Sequence, residues 1–159
     1  MSRELRDALG CFATGVAIVT TRFQGKDIGM TCSSFNSVSL EPAMALWNIQ
    51  KTSNCREAFH QSAGYTVSVL AADQGDVAMS FTRGPQSERF AGLEVERAPS
   101  GRLLIPGCVA WFDCDLHQVI EAGDHDILLS NIRDFSWNIG SGLIFERSRF
   151  GSVQLSAVA

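Results

Sequence analysis

The chain has 159 residues, 45% of them hydrophobic and 19% charged, a balance that suits one globular domain, 1–159, with a substantial core. Its 13 Lys and Arg are scattered against 17 Asp and Glu, for a net charge of −4. That distribution excludes the concentrated basic patch that nucleic acid requires.

In chain order, RELRDALGCF (3–12) sets Leu5, Ala8, Leu9 and Phe12 at i, i+3, i+4 and i+7, which predicts a short amphipathic helix. VAIVTTRF (16–23) is rich in β-branched residues, Gln24 to Asp27 forms a turn, and DIGMTCSSF follows, so a β-hairpin is expected. VSL (38–40) runs into Glu41-Pro42, where proline interrupts the strand, and AMALWNI (43–49) is apolar enough to be buried on both faces. Ser53 is the expected N-cap of a helix over about 54–62, and YTVSVLA (65–71) alternates as a strand.

Residues 73–92 change character. DQGDVAMSF forms a short helix, and TRGPQSERFAG is a loop with one helical turn, the longest irregular stretch and so a functional candidate. LEVERA (93–98) returns to β, followed by a long strand over 108–122, a tight turn at Gly123-Asp124, a second long strand over 125–137, and a strand pair in GLIFERSRFGSVQL. Many strands, few short helices and no βαβ rhythm predict a mostly β, antiparallel barrel. That order, with no GxGxxG, argues against a Rossmann domain.

No apolar run reaches bilayer length, and MSRELRDALG has no apolar signal region, so a cytoplasmic, non-membrane protein is expected. Five cysteines, an odd number at irregular spacing without CxxC, point to reduced thiols. His60, His117 and His125 do not join them at zinc-ligand spacing, and no metal site is expected. Gly-x-Ser-x-Gly is absent and Asp113 with Asp115 reads as a solvated strand face, so hydrolysis has no foothold.

Three segments carry candidate chemistry. Gly29 to Phe35 offers small hydroxyls and amides either to a polar ligand at a strand end or to its own turns. Asn48-Ile49-Gln50-Lys51-Thr52-Ser53 ends a strand and opens a helix beside a lysine, which suits a phosphate and equally a capped surface helix. His125, at a hairpin tip, is either a solvated turn residue or a hydrogen-bonding group near a redox centre, with Asp124 fixing the turn. The aromatics read first as core, and Cys32 as a packing residue rather than a nucleophile.

Taken in order, FATGVAIVTT (12–21), GMTCSSFNSVSLEPAMALW (29–47), the KTS at Lys51, YTVSVLAADQ (65–74), FTRGPQSERFAG (81–92), IPGCVAWFDCDL (105–116), AGDHDILLSNI (122–132) and FERSRFG (145–151) resemble the flavin reductases that serve two-component monooxygenases. The resemblance covers about residues 5–151 and implies a Greek-key split β-barrel, a homodimer, FMN or FAD in a groove that includes the dimer interface, and NADH or NADPH as hydride donor. It implies that Thr31, Cys32, Ser33, Ser34 and Phe35 lie along the flavin, and that Asn48, Ile49, Lys51 and Ser53 contact its ring and phosphate. Phe81, Arg83 and Phe90 would cover the flavin, His125 would serve nicotinamide binding as the catalytic histidine, and Arg147 and Arg149 would meet the nucleotide, across the interface in a dimer.

The family often has H-R-G-R-Y-G where this chain reads Glu146-Arg147-Ser148-Arg149-Phe150-Gly151, and a small Ala or Ser where it has Cys32. The implied activity is NAD(P)H-dependent flavin reduction supplying a partner monooxygenase. Two alternatives are a reductase that retains FMN and serves another acceptor, such as a corrinoid or quinone, and a non-catalytic flavin-binding module.

Overall fold

Short apolar runs punctuated by turn formers make this chain a series of antiparallel hairpins. The structure, a computed structural model, describes residues 2–153. Its strands are β1 (Thr14–Gly15), β2 (Ala17–Phe23), β3 (Lys26–Cys32), β4 (Asn36–Leu40), β5 (Ala43–Gln50), β6 (Gly64–Val69), β7 (Glu96–Arg97), β8 (Leu103–Leu104), β9 (Ala110–Ala122), β10 (His125–Trp137), β11 (Leu143–Glu146) and β12 (Arg149–Ser152). The helices are α1 (Arg3–Leu9), α2 (Arg56–Gln61), α3 (Gly75–Ser80) and α4 (Gln86–Arg89). No helix among the described residues is long and apolar enough to cross a membrane.

Seven strands form one sheet in the order β3-β2-β6-β9-β10-β5-β4. Laid flat, six inter-strand gaps would hold β3 and β4 roughly 29 Å apart. Yet only Ser33, Ser34 and Phe35 join the end of β3 to the start of β4, a link that spans at most roughly 14 Å. The sheet therefore curls until its edges converge, and Ser34 ties the link to β5: its hydroxyl accepts the Asn48 amide at 2.9 Å. This is the expected split barrel.

Inside the barrel, Val19, Trp47, Phe59, Tyr65, Val67 and Leu128 form the main core, with Trp47 edge-on to Phe59 and Tyr65. A second cluster of Val16, Ile18, Leu70, Phe81, Ile105 and Leu143 lies on the other side of β2, under α3. The β7–β8 hairpin docks by lending the Leu103 carbonyl to the hydroxyls of both Thr20 and Thr66, each at 2.6 Å. β1 pairs with β11, and Arg147 donates its amide to Gly10 O, so the two ends of the described chain meet.

Four expectations need correction. α1 ends at Leu9 and buries none of its residues, leaving Leu5, Leu9 and the following Phe12 exposed. β5 is buried on one face only: Ala45, Trp47 and Ile49 enter the core, while Met44, Leu46 and Asn48 are half-buried. Of residues 93–98 only Glu96 and Arg97 pair, because β8 offers just two partners. Helix α2 starts after Cys55 rather than Ser53, since the Ser53 hydroxyl instead closes a tight turn on the Cys55 amide at 3.2 Å. The closing pair of strands forms as β11 and β12, and its predicted last residues, Gln154 and Leu155, lie outside the described residues.

Candidate functional site

A one-sided groove opens where the ends of β3, β5 and β10 come together. Its first hollow, about 530 Å3, is walled by Met30 to Ser34, Asn48, Gln50 and His125. Its second, about 470 Å3, lies between Thr52 to Cys55 and the 81–89 segment. Met30 and Thr31 line both, so the two form one continuous trough of the size that takes a small-molecule ligand.

The trough is built from strand register. β5 and β10 pair with His125 opposite Gln50 and Ile127 opposite Asn48, and alternation sends these side chains to the groove while Ile49 and Asp126 turn the other way. His125 Nδ1 lies 2.8 Å from Asp124 Oδ1. That hydrogen bond from the imidazole holds the Asp124 carboxyl below its usual range, and it leaves Nε2 as the nitrogen free for a ligand. Across the trough, the Thr31 hydroxyl donates to Ala78 O at 2.6 Å, while Ser33 is exposed at the tip of the 33–35 link.

Two residues that line the hollows carry a buried polar atom without a partner among the described residues: Oδ1 of Asn48, at the first, and Nε of Arg89, at the second. Arg89 is held by its other nitrogens, Nη1 donating to Gly29 O at 2.7 Å and Nη2 to Gly84 O at 3.3 Å. Gln86 grips Gly29 from the same helical turn, accepting its amide at 2.9 Å and donating to its carbonyl at 3.0 Å. Gly29 is required there, because a Cβ would come within 2.8 Å of Phe81 and 2.9 Å of Phe90.

Thr31, Cys32, Ser33, Ser34 and Asn48 thus stand together with His125, and Ser53 stands in the adjoining hollow. Cys32 is buried, and burial pushes its thiol up to about 12, as a packing residue requires. Phe35 turns from the trough to pack, tilted by 35°, on Phe112 at 5.3 Å. The Ile49 side chain is fully buried in the core, and Phe81 is a fully buried floor under the second hollow, edge-on to Phe90 at 5.0 Å. Lys51 leans out to Glu121 at 3.3 Å, and Arg83 is exposed beyond the lining.

Arg147 and Arg149 line a separate hollow with Ala13, Ile144 and Phe150. Between them, Arg147 and Ser148 both hold positive φ, 46° and 63°, so the hairpin tip keeps its shape where a glycine would be easier. Sequence reasoning singles out neither Arg89 nor Gln86, and it reaches Gln50 only as part of the 48–53 segment. The acceptor that fixes Arg89 is a glycine carbonyl sixty residues earlier, visible only once β3 and α4 are adjacent. Since α2 has six residues, positive charge at the second hollow comes from Arg89 and not from a helix dipole.

Comparison with known proteins finds relatives of this sequence and this fold. Residues 9–154 match the family described as flavin reductase like domain. The reductase component of a flavin-dependent trigonelline monooxygenase from Acinetobacter baylyi is 42% identical over 149 residues, covering 93% of this chain and 48% of its own. An FMN reductase (NADH) from Agrobacterium fabrum is 38% identical, over 94% of this chain and 85% of its own. A Streptomyces globisporus NADH:FAD oxidoreductase, solved with NAD and FAD fragments, superposes with a TM-score of 0.92 at 31% identity over 98% and 94% of the two chains. The chain spans about half the length of the first two curated relatives it matches. This chain belongs to the flavin reductase-like family.

Proposed function

We propose that the chain reduces FMN or FAD with NADH or NADPH and releases the reduced flavin to a partner monooxygenase. The observation that carries this is the continuous trough, with His125 at one end, Arg89 at the other, and an unpartnered polar atom at each. Bound there, the two cofactors would supply the chemistry themselves, hydride passing from nicotinamide C4 to flavin N5. The protein's task is to hold and orient.

In this reading Asn48 Oδ1, unpartnered below the surface of the first hollow, turns outward to accept from a ring N–H, and the Ser53 hydroxyl, whose oxygen already serves Cys55, gives its proton to a phosphate oxygen. Arg89 supplies the charge beside it. His125 offers Nε2 to a carboxamide, its ring steadied by Asp124. The trough is open along one side, which suits a flavin that enters and leaves. The names of the relatives, among them FMN reductase (NADH) and NADH:FAD oxidoreductase, support the same reading.

We also propose a homodimer. Val38, Leu40, Phe135, Trp137 and Ile139 are large, apolar and exposed, and Ile139 is 98% so. Large apolar side chains left exposed in this number support an interface. Pairing of two copies is the arrangement in which Arg147 and Arg149, remote from the trough of their own chain, could serve that of the partner. Cytoplasmic residence is proposed on the five free thiols, four of them buried.

Anaerobic mixing of the protein with excess FMN or FAD and NADH or NADPH tests the central claim. Repeated turnover of flavin is expected; bleaching of one equivalent only would rule out release, and none would rule out reduction. His125→Ala should raise the nicotinamide KM or slow reduction about fivefold, the worth of one neutral hydrogen bond, with flavin affinity nearly intact.

A further inference from the structure

Directly behind His125, Asp126 is fully buried on the opposite face of β10. Its Oδ2 accepts from Arg56 Nε at 2.6 Å and lies 3.1 Å from His60 Nε2. Arg56 and His60 are one turn apart on α2, so both present the same side to the carboxylate. Asp126 Oδ1 and His60 Nε2 have no hydrogen-bond partner among the described residues. A buried carboxylate is costly unless its partners repay the loss of water, so this arrangement is tied to its surroundings.

The position of the pair gives it a task. α2 follows immediately on Thr52 to Cys55, which wall the second hollow, while Asp126 follows immediately on His125, which walls the first. Two other ties hold Lys51 at the β9–β10 hairpin: its amide donates to Asp124 O at 2.9 Å, and its side chain makes an exposed pair with Glu121 of β9 at 3.3 Å. Of the two ion pairs, only Asp126–Arg56 has a member sealed from water, so it resists the screening that weakens the other.

We propose that Asp126 is a positioning residue that locks the 51–55 segment to the His125 strand, fixing the spacing between the two halves of the trough. The functional part of this rests on the flavin-reductase reading above; the structural part does not. Asp126 touches no ligand and acts through Arg56 and through its neighbour in the strand. The Arg56 side chain is 36% exposed and can turn to water when its partner is neutralised, so Asp126→Asn leaves a foldable protein.

The test begins with hydrogen exchange in the nucleotide-free protein. Asp126→Asn should speed exchange at the amides of Lys51, Ser53 and Cys55 by about tenfold or more, with β2 and β6 unchanged, as expected for local opening. Arg56→Ala should do the same, and the double variant should be no worse than either alone. Flavin fluorescence quenching and the NADH KM are then measured on the same variants. Both constants should rise together at a temperature where every variant is folded. Uniform exchange changes across the barrel, or a lowered Tm with both constants unchanged, would overturn the positioning role. If exchange responds as expected but the parent protein binds neither FMN nor FAD, the flavin reading fails and the lock stands.

Discussion

Gly29→Ala tests whether the trough depends on close packing beneath it. A Cβ at residue 29 would lie 2.8 Å from Phe81 Cε1, 2.9 Å from Phe90 Cζ and 3.0 Å from Phe81 Cδ1, where carbon atoms settle at about 3.5–4.0 Å. Both rings must retreat, yet Phe81 is fully buried and packed edge-on to Phe90. Overpacking of this kind costs about 1–3 kcal/mol, and alanine's smaller loss of chain entropy returns about 0.5–1 kcal/mol. Taken at their midpoints these leave a net cost of about 1 kcal/mol, which should lower Tm by about 2–4 °C in calorimetry. Because Gln86 and Arg89 grip the Gly29 amide and carbonyl, the same displacement loosens the second hollow, and flavin affinity should fall in a quenching titration. Phe90→Leu in the Gly29→Ala background should recover part of both losses. An unchanged Tm with unchanged flavin affinity would refute the argument.

Ser53→Ala with Arg89→Met should erase any preference for FMN over riboflavin, a loss of about tenfold to a hundredfold for a charged hydrogen bond, and a retained preference in competition binding would move the phosphate elsewhere. Of the five thiols, Cys11 alone is exposed, and burial pushes Cys32 and Cys114 up to about 12. A thiol-reactive dye should therefore label one cysteine quickly in the native protein and all five in denaturant. The hydrogen bond from Arg56 holds the Asp126 carboxyl below its usual value of 3.8. Its stabilisation is present above that pH and is lost as pH falls through the lower folded value. The Tm gap between the parent and Asp126→Asn should thus be widest near neutrality and shrink below about pH 4; a gap independent of pH would contradict the pairing.

The strands were legible because their β-branched runs alternate and end at Gly, Pro or Asp, and His125 was legible because Gly123-Asp124 makes a tight turn. Depth and partnership were not. Ile49 and Asn48 are neighbours in one strand, yet alternation puts one in the core and the other in the trough, and which goes where depends on pairing with β10. Ser53 looked like a helix cap because capping and tight-turn closure use the same hydroxyl. Leu5, Leu9 and Phe12 show a helical stripe with nothing to bury it among the described residues, since periodicity reports an apolar face but not what covers it. The Asp126–Arg56 pair was invisible because its members are seventy residues apart.

The pairing of β1 with β11 carries a consequence for biosynthesis. Thr14 meets Phe145, and Gly10 receives the Arg147 amide, so residues 10–15 must wait for residues 144–147, which are made much later. A chain emerging from the ribosome can form the β2–β3 hairpin early, but β1 has no partner until residue 147 has cleared the exit tunnel. Long-range pairing of this kind slows folding and leaves strand edges open meanwhile. Stalling translation just short of residue 143 should therefore yield nascent chains that remain sensitive to protease along β1, whereas stalling well beyond residue 153 should protect them.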